Sequence, residues 1–151
     1  MTSRIHIFGL LFAAAMALAH GAAAQSVADT MTRWGLTGTW ALDCSKPASD
    51  ANGYLSYVAR SGGKVSHERD FGGGKRDSND VQRAVTGIGG ALELVVHFPR
   101  LNQTRKYTML MGSDRRIRAM ANSRIDGKEQ TIRNGRFTHN NGVTPWQTRC
   151  R

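Results

Sequence analysis

The chain has 151 residues, 21 Lys and Arg against 11 Asp and Glu, and a formal net charge of +10. Arginine outnumbers lysine, of which there are only five. A chain this cationic is drawn to polyanions such as lipid headgroups and lipopolysaccharide phosphates, and no stretch after the first 24 residues is apolar enough to span a bilayer.

Residues 1–24 read as an export signal. Arg4 supplies the positive start, residues 5–19 form a short apolar run, and Ala22, Ala23 and Ala24 suit cleavage before Gln25. No cysteine at that point asks for a lipid anchor. The mature chain, residues 25–151, is expected in the periplasm or outside the cell, with a net charge of +9 once Arg4 is gone. That compartment excludes intracellular nucleic acid as a partner. Its length allows one domain, expected as a monomer, able to bury roughly two-thirds of its unfolded surface.

Residues 27–34 are expected as a short helix or lead-in segment. Beyond them the chain reads as strands and turns. Strands are expected over 39–43, 54–60 and 64–71, followed by a polar, glycine-rich, flexible segment over 72–80. Residues 81–86 and 91–98 flank Gly87-Ile-Gly-Gly90 as a hairpin. Leu92, Leu94, Val96 and Phe98 alternate with Glu93, Val95 and His97, the clearest period-two signal in the chain. A second hairpin, 105–111 and 115–123, turns about Gly112-Ser113-Asp114. Asp126-Gly127 and Asn134-Gly135 are dipeptides of primed turns, with strands over 128–133, 136–139 and 145–150 around them. Eight or nine short antiparallel strands at even spacing imply an all-β, up-and-down barrel.

Cys44 follows Trp40 by four residues, and Cys150 follows Trp146 by four. In an exported protein the two cysteines are expected to pair. The bond would close a loop of about a hundred residues, worth on the order of 4–5 kcal/mol on chain entropy. In a meander the first and last strands become neighbours only if the sheet closes, so barrel and disulfide support each other.

Gly38-Thr39-Trp40, on the first strand after a short lead-in, resembles the Gly-x-Trp opening of lipocalins and other calycins. The resemblance implies an eight-stranded barrel closed at one end by Trp40. It also implies a basic residue of the last strand, here Arg149, lying across that ring in a cation–π contact. Residues 36–40 also resemble the opening of avidins, but Asp43-Cys44-Ser45 interrupts that pattern. The layout as a whole, residues 38–47 and 144–150, resembles a group of short exported alphaproteobacterial proteins, a resemblance that carries no activity with it.

Chemistry is sparse. The mature chain has three histidines, His67, His97 and His139, and no nucleophile elbow, His-Glu-x-x-His, phosphate loop or metal-ligand spacing. No catalytic residue, metal or cofactor is expected, and an enzyme is not. His67-Glu68-Arg69-Asp70 is the densest titratable cluster. Its strand alternation places the two carboxylates on one face, as a solvated edge strand also would.

The 105–123 hairpin offers a ligand site. Turning at residues 112–115, it would set Met111 opposite Arg116 and Met109 opposite Arg118, with Tyr107 and Met120 on the same face. If that face points inward, Arg116, Arg118, Tyr107 and Met109 line a cavity suited to a carboxylate or phosphate on an apolar tail. If the other face points inward, Leu110, Ile117, Ala119 and Ala121 fill the core and the arginines are surface charges. The expected function is an exported binding protein for a small amphiphilic or anionic ligand, with an anionic surface as a further partner. The alternative is an envelope interaction module, such as a hydrolase inhibitor or host-facing factor, acting through residues 72–80 and 140–143. An apolar cavity of a few hundred cubic ångströms holding an arginine would favour the first.

Overall fold

The computed structural model describes residues 25–150. The export signal read over residues 1–24 lies outside them. Helix α1 spans Val27–Trp34 and begins at a capping box. Ser26 Oγ accepts from the Asp29 amide at 3.1 Å while the Asp29 carboxylate receives the Ser26 amide. Gly35 ends the helix at φ 92°, a left-handed cap that costs glycine nothing.

Ten strands follow: β1 (Gly38–Ala41), β2 (Tyr54–Ala59), β3 (Val65–Asp70), β4 (Arg76–Thr86), β5 (Leu92–Phe98), β6 (Gln103–Met111), β7 (Ile117–Arg124), β8 (Gln130–Arg133), β9 (Arg136–Phe137) and β10 (Thr148–Arg149). All pairings are antiparallel, and the order β10-β1-β2-β3-β4-β5-β6-β7-β8-β9 is a meander whose last strand returns beside its first. The sheet curls far enough for β7 to meet the segment entering β10. Ile117 and Gln147 exchange two backbone hydrogen bonds, 3.0 and 2.8 Å. The rest of the β7 edge is taken by β8 and by the Thr144 hydroxyl, which donates to Ala119 O at 2.7 Å.

The expected bond is present: Cys44 and Cys150 are disulfide-linked with Cα atoms 5.4 Å apart, next to the β1–β10 pair. The period-two signal in β5 is borne out, with Leu92, Leu94, Val96 and Phe98 all buried. Met31, Leu36 and Trp40 join them in one core. The helix seals one end of the barrel, held by the Trp34 indole N–H donating to Gly90 O at 2.7 Å.

Four expectations need correction. The segment 72–80 is not one flexible loop: only residues 72–75 turn, and from Arg76 the chain is β4. The strand carrying His67 is not an edge. It lies between β2 and β4, with His67 and Arg69 turned inward. Trp40 and Arg149 are register partners, but the cation–π contact that the calycin resemblance implies does not join them. Trp40 donates its indole N–H to Leu36 O at 2.7 Å inside the core, while Arg149 stays exposed.

The fourth is the register of the β6–β7 hairpin. Gly112 pairs with Arg116 through a 2.8 Å bond, and Arg115 takes a left-handed φ of 61°. The loop is thus three residues rather than four, and Met111 faces Ile117 while Leu110 faces Arg118. A slip of one residue exchanges the faces of a strand. The interior therefore receives Tyr107, Met109 and Met111 from β6 but Ile117 and Ala119 from β7, a combination neither expected face contained.

One inward arginine belongs to the fold. Arg105 on β6 is buried and donates to Asn122 Oδ1 (2.7 Å), Gln103 Oε1 (2.8 Å), Glu129 Oε2 (2.8 Å) and Thr131 Oγ1 (3.1 Å). It ties β6 to β7, β8 and the loop between them. Arg105→Ala leaves four acceptors short of a donor and is expected to lower stability by about 2–3 kcal/mol in urea titration. A loss below that range would mean that water replaces the guanidinium.

Candidate functional site

The barrel end away from α1 holds a cavity of about 390 Å³. Its wall is mixed. Leu55, Phe71, Met109, Ala119, Ile132 and Phe137 give apolar surface, and Tyr57, His67, Arg69, Tyr107, Asn122 and Gln147 give polar groups. Each polar group arrives by strand alternation: Tyr57 stands opposite His67, Leu55 opposite Arg69 and Tyr107 opposite Asn122.

Arg69 is the charged centre. Its Nε and Nη2 grip the two oxygens of Asp77, its register partner on β4, with Nε–Oδ1 at 2.8 Å. Asp77 is thereby held below the usual carboxylate range, and Arg69 is raised by the same bond. The guanidinium also lies over the Phe98 ring, 4.8 Å from its centre. A guanidinium has five N–H groups. Asp77 takes two, and among the described residues no other acceptor engages Arg69.

His67 stacks on Tyr57 with ring centres 4.6 Å apart and meets the edge of Phe98 at 6.2 Å. It is 4 % exposed, and its enclosed Nδ1 has no hydrogen-bond partner among the described residues. Burial, and then the nearby Arg69 charge, bring its pKa down to about 3, so the imidazole is neutral. Burial raises Tyr57 and Tyr107, which keep their phenolic protons. Asn79, 2 % exposed, braces the group by donating to His67 O (3.1 Å) and Asp77 Oδ1 (2.8 Å).

Of the residues the sequence pointed to, Tyr107 and Met109 line this cavity. Arg116 and Arg118 do not: both face outward, because of the hairpin slip. There they cover Trp146, with guanidinium carbons 5.9 and 5.3 Å from its ring. Arg116 also pairs with Asp114 at 2.7 Å, and Arg118 donates to Gly135 O at 3.1 Å. Gly135 lies at φ 70°, the left-handed region that favours glycine, and a Cβ there would push the Arg118 guanidinium aside.

The arginine that lines the cavity is Arg69. It was visible in the sequence as the residue alternating with His67, but its partner Asp77 lay in what read as a loop. The carboxylates on the other face, Glu68 and Asp70, are occupied by Arg60 and Arg76. Among the described residues no three His, Cys, Asp or Glu side chains come together as metal ligands.

Comparison of the chain with protein-family models, with curated proteins and with solved structures finds no match.

Proposed function

We propose that this chain is an exported, non-enzymatic binding protein, lipocalin-like in architecture, that holds a small amphiphilic, anionic ligand in the barrel cavity. The observation that carries the reading is a half-open, largely apolar pocket containing a guanidinium with three of its five N–H groups unengaged. Two phenol hydroxyls and a neutral imidazole stand beside it. Asp77 and Asp50, the carboxylates nearby, are already paired with Arg69 and with Lys75 at 2.6 Å, so the open N–H groups of Arg69 suit a carboxylate or phosphate rather than an amine. Arg69 keeps its charge at every relevant pH and can offer a fork to either anion.

The volume limits the ligand. At about 390 Å³ the cavity sits near the lower end of the ~300–1,000 Å³ common for small-molecule sites. A compact aromatic or short-chain acid fits better than a full-length lipid tail. The disulfide supports export, because such bonds persist in oxidising compartments. The alternative of a loop-based interaction module is narrowed, since residues 76–80 of the 72–80 segment belong to β4.

Native mass spectrometry of protein purified from its own cell envelope tests the reading. A small acid is expected to travel with the protein. A clean apo mass, with no thermal shift against compact aromatic and aliphatic acids and phosphates, would overturn it. Ala119→Leu adds volume at the cavity wall without removing a polar group. It is expected to leave the melting temperature unchanged or higher while abolishing the ligand-induced shift.

A further inference from the structure

The outer surface of the wall that faces the cavity is strongly basic. Strand alternation turns Arg118 of β7, and Arg116 just before the strand, outward, while Ile117 and Ala119 turn in. Arg133 and Arg136 are register partners across the Asn134-Gly135 turn, and both are exposed. Arg118 reaches the Gly135 carbonyl at 3.1 Å, so the β7 arginines and the β8–β9 arginines form one continuous patch. Asp114 pairs with Arg116, and among the described residues no other carboxylate is paired with these four guanidiniums. Arg118 Nε is enclosed and has no acceptor among the described residues. Two apolar side chains lie in the same patch. Val143, 53 % exposed, bridges to Arg136, and Trp146 lies under Arg116 and Arg118.

We propose that this face docks on an anionic phospholipid surface. Guanidiniums recognise phosphodiester oxygens as forks, and basic side chains are held at an anionic leaflet by its surface potential. An exposed valine and a tryptophan among arginines match the mixed polarity of the headgroup layer, where aromatic rings concentrate. A soluble polyanion would satisfy the arginines but leave Val143 without an apolar partner. The wall is shared with the cavity: Phe137, Pro145 and Gln147 line the inside while Arg136 and Trp146 alternate with them outside. Resting on the cavity reading, docking here would set an amphiphile-binding space against the membrane that supplies its ligand.

Co-sedimentation with phosphatidylcholine vesicles, with and without phosphatidylglycerol, tests the docking. Binding is expected only with phosphatidylglycerol and is expected to fall at raised salt. Arg133→Gln with Arg136→Gln is expected to weaken it about twenty-fivefold, at about fivefold per arginine. Arg83→Gln with Arg100→Gln removes the same charge from exposed residues elsewhere and is expected to change affinity less than about threefold. Equal losses in the two pairs would reduce the effect to net charge and overturn the proposal. So would binding to an acidic polysaccharide without binding to vesicles. Retained melting temperature guards against unfolding. Ala119→Leu, which fills the cavity, should still bind vesicles, so the cavity reading and the docking can fail separately.

Discussion

Replacing Cys44 and Cys150 together by serine is expected to lower the stability of this domain by about 4–5 kcal/mol. The two cysteines are 106 residues apart, so the bond constrains nearly the whole unfolded chain. For a domain of this size the loss corresponds to a fall in melting temperature of about 15–20 °C. The urea m-value should rise as well, because the unfolded chain becomes more expanded. The native seam also depends on the bond. β10 contributes only the pairs Trp40–Arg149 and Ala41–Thr148, and the Ile117–Gln147 bridge is one register step beyond them. Amides 147–150 are therefore expected to exchange faster in the serine variant than those of β5. Unchanged exchange at the seam together with the full stability loss would place the effect wholly in the unfolded state. A loss below about 1 kcal/mol would mean that the unfolded chain stays compact without the bond.

The parts of the fold that could be read from the sequence are those where one local rule acts alone. β5 places Leu92, Leu94, Val96 and Phe98 on its core face and Glu93, Val95 and His97 on its half-buried outer face, because only one face meets the core. Helix α1 also obeys local rules, with Ser26 and Asp29 closing its first turn and Gly35 its last. Asn134 and Gly135, at φ 50° and 70°, are the primed turn their identities suggest. The candidate site was harder to see because its chemistry hides the pattern. The inward positions of β4 below Val81 are Asp77 and Asn79, so that half of the strand has the composition of a loop. Their burial makes sense only with Arg69 and His67 opposite. The signal was there as a symmetry: Arg69 and Asp77, and likewise His67 and Asn79, are equidistant from Gly73. The β6–β7 slip had no such signal, since nothing in Gly112-Ser113-Asp114-Arg115 requires Arg115 to be left-handed. One φ angle there decides whether arginine or isoleucine enters the barrel.

The second large effect is a loss of stability in mild acid that runs through His67. In the folded protein this imidazole is neutral down to about pH 3, enclosed by Tyr57 on β2, Arg69 on its own strand, Asp77 and Asn79 on β4 and Phe98 on β5. In the unfolded chain a histidine takes up its proton near pH 6.5. Between those values the unfolded state holds the extra proton, so stability falls as the pH falls, by about 1.4 kcal/mol per pH unit. From pH 7 to pH 5 the expected loss is about 2 kcal/mol. Asp77 works in a different window. Its lowered pKa gives stability that is complete above the unfolded value near 4 and disappears only below it, so it cannot mimic the loss at pH 5. His67→Phe keeps a ring against Tyr57 and removes the titration. Urea midpoints measured at pH 7 and pH 5 should converge in that variant and diverge in the parent chain. A parent midpoint that does not move between these pH values would mean that His67 already carries a proton in the folded barrel. The cavity would then hold two positive charges against one carboxylate. In that case the affinity for a bound acid, rather than the stability, should carry the pH dependence.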